Sequence, residues 1–338
     1  MMNAKPSVAV IGAGLSGLVL AQNISKSAEV KIFEKSRGVG GRMSCRTNDD
    51  FAFDFGAQFF LAKSPQFNEF LQPFINKKTV LPWRGKFVEI DKNKITNQRI
   101  WTSEKNHFVA VPKMNSLCKE IAVNLDIRFQ TKIARLDKVK NKWQIFDDKA
   151  IFLGEFDWVF FTIPAPQLTE LLINSKINCS FLDKLASHHM VGCYALMLGL
   201  QHKINLDFDV ALVKNSIISW ISYEASKPLR KNVAAYTILA RNNWAQHYLD
   251  SDIDILKSQM IDEFSKVINQ PIEGIVHSDI HRWRYANIAK QPAHKKYYID
   301  NTNQIAACGD WLIQGRIEAA FMSAKALADY INQNFKLV

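Results

Sequence analysis

A glycine-rich turn between an apolar strand and a helix constrains this chain more than any other stretch. Residues 8–17 have the sequence VAVIGAGLSG, and an apolar run, LVLA, continues from residue 18. A short apolar run before a glycine turn predicts a buried parallel strand, and the residues after the turn predict a helix. A second strand, residues 30–34 with the sequence VKIFE, ends on Glu34. Strand, turn, helix, strand and acid in this order form a dinucleotide-binding fingerprint.

The three glycines of this turn have separate tasks. Gly12 allows the tight turn, Gly14 has no Cβ that would block a pyrophosphate, and Gly17 lets the helix pack closely on the strand. The free N–H groups at the helix start, with a charge of about +0.5, attract phosphates. Glu34 can accept hydrogen bonds from an adenosine ribose and would repel a 2′-phosphate. The residues predicted to bind at this turn are Gly12, Gly14, Leu15, Ser16 and Gly17.

Length and composition favour a soluble enzyme of two domains. A chain of 338 residues exceeds the usual size of one hydrophobic core. Hydrophobic residues make up 48% and charged residues 22%, which argues against disorder. The net charge of +11 is spread along the chain without a basic arm, so nucleic-acid binding is not expected. A solvated basic surface explains this charge, and steering of an anionic nucleotide substrate is the alternative.

The cysteine pattern indicates a reducing compartment and no metal site. The five cysteines form no C-x-x-C pair and no zinc spacing; they are Cys45, Cys118, Cys179, Cys193 and Cys308. Scattered cysteines are typical of reduced thiols, so we expect a cytoplasmic protein. The first strand begins too early to leave room for a signal peptide, and no apolar run reaches about 18 residues, so we expect no membrane association.

A second glycine loop follows Glu34. Residues 35–46 have the sequence KSRGVGGRMSCR, with three glycines within four positions. Backbone N–H groups of such a loop can approach an anion, and Arg42 can add a charge-assisted hydrogen bond to the same phosphates. The cofactor-binding residues predicted in this loop are Lys35, Gly41, Arg42 and Met43.

The order of these motifs resembles the FAD-binding start of the flavin amine oxidase superfamily, in which G-G-R follows the second strand. Residues 53–60, FDFGAQFF, resemble the D-x-G-A-Q-[FY]-F segment of its small renalase-like branch. The resemblance implies non-covalent FAD. It also implies that Gln58 and Phe59 lie beside the isoalloxazine ring, since this segment runs along the flavin in that family. A strand and turn with an amphipathic amide is the other interpretation of Gln58.

The last part of the chain extends the resemblance. Residues 305–310, IAACGD, predict a buried strand that ends in Gly-Asp, and residues 315–321, GRIEAAF, open a terminal helix. In the family the carboxylate accepts a ribityl hydroxyl, and the helix start points at the pyrimidine edge of the flavin. A strand over 127–133 resembles the one along the adenine. The residues so implied are Ile133, Gly309, Asp310, Arg316 and Ile317.

A strand over residues 281–286, HRWRYA, has two interpretations. Trp283 and Tyr285 face one way on a strand, while Arg282 and Arg284 face the other. It is either a half-buried edge strand or the R-W-x-[YF]-A run of the renalase-like branch, which leads back to the flavin. The second interpretation puts Trp283 or Tyr285 at the substrate pocket. With Gln58, these two residues are the predicted catalytic-pocket residues.

The resemblance implies an α/β fold: a Rossmann-type FAD-binding domain of the glutathione-reductase and amine-oxidase kind, with a second α+β substrate domain. The FAD-binding domain is predicted to be discontinuous, over residues 1–64, 112–165 and 280–338. The substrate domain takes residues 65–111 and 166–279. Pro65 is predicted to open a helix with apolar positions at helical spacing.

The expected chemistry is that of a flavin oxidase. One fingerprint and no redox cysteine pair mean that the substrate must reduce the flavin directly. We expect hydride transfer from a small reduced substrate to flavin N5, and reoxidation by dioxygen. The basic charge suits renalase-like oxidation of isomeric dihydro-NAD(P), and aromatic residues such as Trp220 or Tyr223 suit an amine oxidase. A non-catalytic FAD-binding module and an NAD-binding dehydrogenase are alternatives from other classes.

Overall fold

The computed structural model of this protein describes residues 5–48, 50–102, 106–289 and 295–334. The strands are β1 Ser7–Ile11, β2 Glu29–Phe33, β3 Arg46–Thr47, β4 Ala52–Phe53, β5 Val80–Pro82, β6 Lys86–Asp91, β7 Lys94–Ile100, β8 Phe108–Ala110, β9 Asp126–Arg128, β10 Ile133–Val139, β11 Lys142–Asp147, β12 Phe152–Phe156, β13 Trp158–Phe161, β14 Met190–Leu200, β15 Val210–Lys214, β16 Ile218–Tyr223, β17 Ala235–Ala240, β18 Ile275–Ile288, β19 Tyr297–Asp300 and β20 Ile305–Cys308. The helices are α1 Leu15–Ile24, α2 Pro65–Asn76, α3 Ser116–Ala122, α4 Ala165–Asn174, α5 Leu182–Leu185, α6 Asn242–His247, α7 Ile253–Ile268 and α8 Ile317–Asn334.

The chain divides into two compact units. The first unit comprises residues 1–41, 118–190 and 288–338, and the second comprises residues 42–117 and 191–287.

A six-stranded sheet forms the centre of the first unit. Its strand order is β19-β20-β13-β1-β2-β9, and the neighbours from β20 to β9 pair in parallel. Val8, Ala9 and Val10 are completely buried, as the apolar run before the glycine turn predicts. The antiparallel meander β10-β11-β12 adds Leu136 and Trp143 to the same hydrophobic core.

The strand predicted over residues 127–133 is wrong as a single element. Pairing with β2 ends where Glu34 N–H donates to Arg128 O (2.9 Å). The chain then turns at Gln130, which has a φ of +51°. Ile133 therefore begins β10 in the meander, and its buried side chain packs in the core of the first unit.

A seven-stranded sheet organises the second unit. Its strand order is β18-β14-β17-β16-β15-β6-β7. Helix α7 packs Leu256, Met260 and Phe264 with residues of β14 such as Leu196 into one hydrophobic core. Helix α2 begins at Pro65, as predicted, because Ser64 Oγ accepts the N–H of Phe67 (3.3 Å) and caps it.

Phenylalanines at every second position form a ladder against β18. Phe53 stacks on His277 with ring centroids 5.4 Å apart, and Phe55 stacks on Trp283 at 5.0 Å. Trp283 Nε1 also donates to Phe55 O (2.8 Å). The neighbouring Arg282 donates instead to Ser251 O (2.8 Å). The predicted alternation of aromatic and basic faces is therefore confirmed for residues 282 and 283.

The unit boundaries differ from those predicted for the domains. The segments assigned differently are 42–64, 112–117 and 280–287, which belong to the second unit, and 166–190, which belongs to the first. Phe51 and Phe53 pack with Ala195 and Met197, so their segment belongs to the unit that contains the seven-stranded sheet. Helix α4 belongs to the first unit because its Leu168 packs in the hydrophobic core of that unit. The chemical motifs do not reveal such packing partners.

His281 makes the stability of the fold depend on pH. The pKa of His281 is lowered to about 4, mainly by burial and also by the Arg46 guanidinium beside it, against the opposing effect of Asp279. An unfolded histidine has a pKa of about 6.5, so between pH 6.5 and pH 4 the unfolded chain binds a proton that the folded chain excludes. Stability is therefore full above pH 6.5 and falls as the pH drops through this window.

We expect His281→Gln to flatten that dependence, because glutamine keeps an acceptor for Arg46 and does not titrate. The measurement is urea unfolding of both proteins at pH 7.5, 6 and 5. Equal losses of stability in the two proteins would show that other groups dominate this window.

Candidate functional site

The glycine turn of the first unit has two glycines that the fold itself needs. Gly12 has a φ of +108°, which favours glycine, and its N–H donates to Phe33 O (2.9 Å). A Cβ on Gly17 would lie 2.0 Å from Gly12 O and 2.7 Å from Thr162 Oγ1. Helix α1 can therefore approach the turn this closely only with glycine at position 17.

Gly14 differs from its neighbours because no described atom requires it to be glycine. A Cβ there would have no heavy atom of the described residues within 4 Å, and its backbone is extended at φ −73° and ψ 177°. An alanine would fit the fold. The open space is the clearance that a pyrophosphate would need, so the residues present fit a bound dinucleotide.

The start of α1 is left open to an anion. Gly14 at the N-cap offers no side-chain hydrogen bond, and no acidic residue lies in the first turn. The Ser16 hydroxyl is not free for such an anion, because it donates a hydrogen bond to Ala320 O (3.0 Å). Backbone N–H groups of the first turn of α1, rather than a side chain, would therefore face phosphate oxygens.

Glu34 is held at this turn by backbone donors. One carboxylate oxygen accepts the N–H of Ala13 and the other accepts the N–H of Ser36, each at 2.8 Å. The side chain is buried at 7% exposure. A carboxylate oxygen has two lone pairs, so each oxygen keeps one for a ribose hydroxyl.

The second glycine loop lies against the first. Gly40 N–H donates to Ala13 O (2.9 Å), and Gly14 and Gly40 form an isolated parallel bridge. A Cβ on Gly41 would lie 3.4 Å from Gly14 Cα. The first unit therefore brings the predicted residues Gly12, Gly14, Gly17, Glu34 and Gly41 to one place, while Lys35, at the start of the second loop, is exposed.

Two further residues of the second loop belong to the second unit. Arg42 Nη1 donates to Ala286 O (3.2 Å), and Arg42 O accepts the N–H of Ala57 (2.9 Å). A Cβ on Gly56 would lie 2.0 Å from Arg42 O. Met43 is buried. Their assignment to the cofactor stays a prediction.

The approach to α8 contains an unusual backbone. Gln314, Gly315 and Arg316 have successive φ values of 75°, 73° and 83°. A left-handed conformation is costly for a residue with a Cβ, and such residues cluster at ligand sites. Gly309 N–H donates to Ser323 Oγ (2.8 Å), and the buried Asp310 follows it. Asp310, Arg316 and Ile317 stay predicted cofactor ligands.

Gln58 has partners within its own segment. Its Nε2 donates to Asp54 O and to Gly56 O (3.1 Å), and its Oε1 accepts from Lys227 Nζ (3.4 Å). The amide therefore fixes the turn of residues 54–58. Its predicted place beside the flavin stays a prediction.

Four buried charges surround this turn, and the sequence motifs include only one of them. Asp54, Glu224, Lys227 and Arg230 have side chains at most 4% exposed. Lys227 Nζ lies 3.2 Å from Asp54 Oδ2 and 2.9 Å from Glu224 Oε2. Burial raises the pKa of Glu224 although Lys227 opposes that shift. Single charges in a sequence usually indicate solvated positions, so only Asp54, within the recognised segment, carried a signal.

Cys45 lies in the field of the same charges. Burial raises the pKa of its thiol, and the charges of Asp54 and Glu224 raise it further. Cys45 is therefore a thiol rather than a thiolate at neutral pH, and it lacks the activation of a nucleophile.

Phe59 belongs to an aromatic cluster in the second unit, which we define as Phe59, Trp101, His107 and Trp220. The Phe59 ring centroid lies 5.1 Å from those of Trp101 and His107 and 5.6 Å from that of Trp220. The indole nitrogens of Trp101 and Trp220 are buried without a hydrogen-bond partner among the described residues. Trp101 is buried, whereas the rings of Phe59, His107 and Trp220 are partly exposed.

Trp283 and Tyr285 are half-buried on β18 of the second unit. The indole N–H of Trp283 is already bonded to Phe55 O, so its ring rather than its nitrogen is available to a ligand.

The part of the chain that the structure describes contains neither a metal-binding cluster nor a membrane-spanning helix. No group of three or more histidine, cysteine, aspartate or glutamate side chains is arranged to hold a metal ion. None of the helices described here has the length and apolarity needed to cross a membrane.

Comparison with known proteins supports the architecture. The family model of a NAD(P)-binding Rossmann-like domain matches residues 10–74. The 4,4'-diapophytoene desaturases of Staphylococcus aureus strains Newman and USA300 are 54% identical over 50 residues, which are 14% of this chain and only 10% of each desaturase. The crystal structure of a putative protoporphyrinogen oxidase from Exiguobacterium sp. 255-15 has a TM-score of 0.78 at 12% identity, covering 98% of this chain and 100% of that one. These findings confirm the predicted fold class.

Separate alanine substitutions of Gly14 and Gly17 distinguish a loss of cofactor binding from a loss of stability. We expect Gly14→Ala to unfold like the wild type and to bind FAD about tenfold or more weakly, because the new methyl group fills only the ligand clearance. Gly17→Ala should destabilise the fold by about 1–3 kcal/mol through overpacking. Thermal unfolding of the apoproteins and fluorescence titration with FAD measure both effects. Wild-type FAD affinity in Gly14→Ala would contradict the assignment.

Proposed function

We propose that this chain is an FAD-dependent oxidoreductase that takes a hydride from a small reduced substrate, with reoxidation by dioxygen. The observation that carries the proposal is the contact of the two glycine loops, Gly40 N–H to Ala13 O, beside the backbone-held Glu34. A dehydrogenase that binds NAD needs only the first of these loops. The likeness to an oxidase and to desaturases supports the same class of chemistry.

The proposed cofactor contacts follow from the groups left available. The N–H groups at the start of α1 and the clearance at Gly14 would hold the pyrophosphate, and Glu34 would hold the adenosine ribose. Asp310 and the start of α8 would bind the flavin end. When bound, the flavin supplies the hydride acceptor and the reaction with dioxygen.

The chain's own part in the reaction is positioning. Hydride transfer needs the reacting atoms to be held in place and water to be excluded more than it needs a general base. Gln58, Trp283 and Tyr285 are the pocket residues that we propose from the sequence.

The substrate that we propose is an isomeric dihydro-NAD(P), as in the renalase-like branch. The net charge of +11 would steer an anionic dinucleotide toward the protein. A flavin amine oxidase is the second candidate, and the aromatic cluster is the observation that favours it. The match to the desaturases covers only 50 residues, so it gives no reason to propose their substrate for this chain.

The test is the absorbance of the purified protein at about 450 nm under nitrogen. We expect the flavin band to disappear within seconds of adding an isomeric dihydronicotinamide dinucleotide, and peroxide to form when air is admitted. Ordinary NADH, a panel of amines and protoporphyrinogen are titrated separately. Gly14→Ala, purified in the same way, is the control, and we expect it to contain little bound flavin.

Each other outcome selects a different function. Bleaching by amines alone makes the protein an amine oxidase, and bleaching by protoporphyrinogen alone makes it an oxidase of that substrate. A flavin that no reductant bleaches makes it a non-catalytic FAD-binding module. A purified protein that neither contains nor binds FAD contradicts the proposal.

A further inference from the structure

One peptide group of the glycine turn is held at both ends by side chains that follow two different strands. This peptide joins Gly12 to Ala13. Its N–H donates to Glu34 Oε2 (2.8 Å) just after β2, and its C=O accepts the hydroxyl of Thr162 (2.9 Å) just after β13. Glu34 belongs to the fingerprint, whereas Thr162 lies 150 residues beyond Gly12. A residue outside the fingerprint therefore binds the turn.

The hydroxyl of Thr162 occupies space that two glycines leave free. A Cβ on Gly12 would lie 2.9 Å from Thr162 Oγ1, and a Cβ on Gly17 would lie 2.7 Å from it. The same hydroxyl is 3.0 Å from Ile11 O, so its single proton is shared between two carbonyl groups. Ile11 O also accepts the backbone N–H of Thr162 (3.0 Å). Gly12 O is therefore the acceptor that depends more on the hydroxyl.

The position of Thr162 is itself fixed by its neighbours. Its backbone N–H continues the parallel pairing of β13 with β1. The next residue, Ile163, accepts the indole N–H of Trp311 on its carbonyl oxygen (3.1 Å). A threonine side chain has a stiff χ1 because it is branched at Cβ. The hydroxyl is therefore a preorganised donor.

The orientation of the Gly12–Ala13 peptide decides what the turn presents to a ligand. Rotation of its plane changes ψ of Gly12, and glycine restricts such rotation less than any other residue. A rotated plane would withdraw the Ala13 N–H from Glu34 and would displace Gly14. Glu34 and Thr162 hold opposite ends of the plane, so each opposes the rotation that would break the other hydrogen bond.

We propose that Thr162 is a positioning residue of the dinucleotide site, whose hydroxyl keeps the Gly12–Ala13 peptide in the orientation that binds the ligand. The inference rests on the proposed function, because its ligand is the adenosine diphosphate part of that cofactor. The hydroxyl acts through the peptide rather than on the ligand. Without it, only a fraction of the protein has the turn in the binding orientation, and the apparent affinity falls by that fraction.

The experiment compares Thr162→Ala with Thr162→Ser, because these two variants differ only in the hydroxyl. Calorimetry measures the affinity of each full-length apoprotein for ADP, which has the pyrophosphate and the adenosine ribose but no redox group. We expect Thr162→Ala to bind ADP about fivefold more weakly than the wild type. Thr162→Ser should bind ADP like the wild type, and the affinity for FAD should change in the same way.

Hydrogen exchange of the Ala13 amide measures the peptide directly. We expect this amide to exchange about fivefold faster in Thr162→Ala without ligand, because rotation of the plane opens its bond to Glu34. The amides of β1 should keep their wild-type rates. Thr162→Ser should restore the protection of Ala13. General destabilisation would instead accelerate exchange in β1 as well.

Thr169→Ala is the matched control. Thr169 is also half-buried in the first unit, and its hydroxyl donates to Ala165 O (3.0 Å), but this bond lies within α4. We expect Thr169→Ala to bind ADP and FAD like the wild type.

Several results would overturn the inference. They are wild-type affinities in Thr162→Ala, an affinity loss without faster exchange of Ala13, and an equal loss in Thr162→Ser or Thr169→Ala. A wild-type protein that binds ADP but not FAD contradicts the proposed function alone, because ADP reports on the turn without the flavin. A wild-type protein that binds neither nucleotide contradicts both.

Discussion

The approach of helix α1 to the turn before it is the constraint on which the nucleotide end of the structure depends. With no Cβ at Gly17, the helix lies on Gly12, and Gly12 N–H in turn bonds to the end of β2. Glu34 follows β2 directly and accepts the N–H of Ala13 within the same turn. A substituent at position 17 would therefore move the helix start, the turn and the acid together. Protein groups whose positions are fixed by one packing contact are preorganised. Preorganisation lowers the entropy cost of binding a long flexible cofactor.

The second unit relies on a different kind of order. Its turn at residues 54–58 is held by charges rather than by apolar packing alone, with Lys227 bonded to two carboxylates and to Gln58. Removing one partner of such a network leaves an uncompensated buried charge, which is strongly destabilising. The network therefore holds one conformation of the segment that the sequence resemblance assigns to the flavin. Rigid support of this kind is what hydride transfer needs, because small displacements of the reacting atoms are costly.

The sequence was sufficient for features that depend on short-range chemistry. The glycine turn, Glu34, the start of α2 and the alternation of Arg282 with Trp283 each follow from neighbouring residues, and the structure has them. It was insufficient where distant partners decide. Gln130 breaks the predicted strand because pairing with β2 ends at Arg128, which a local apolar pattern does not reveal. The charge network joins residues separated by more than 160 positions, such as Asp54 and Lys227. No single position there differs in type from a solvated surface charge.

The discontinuous course of the chain has a consequence for synthesis on the ribosome. The central sheet of the first unit combines β1 at residues 7–11 with β13 at residues 158–161 and β20 at residues 305–308. The glycine turn therefore emerges about 300 residues before β20, the strand beside β13, and before the helix α8 that packs on α1. Domains generally fold as units once their residues are available. The nascent chain must therefore carry an unfinished nucleotide unit until β20 and α8 have emerged, and we expect cofactor capture to follow their emergence.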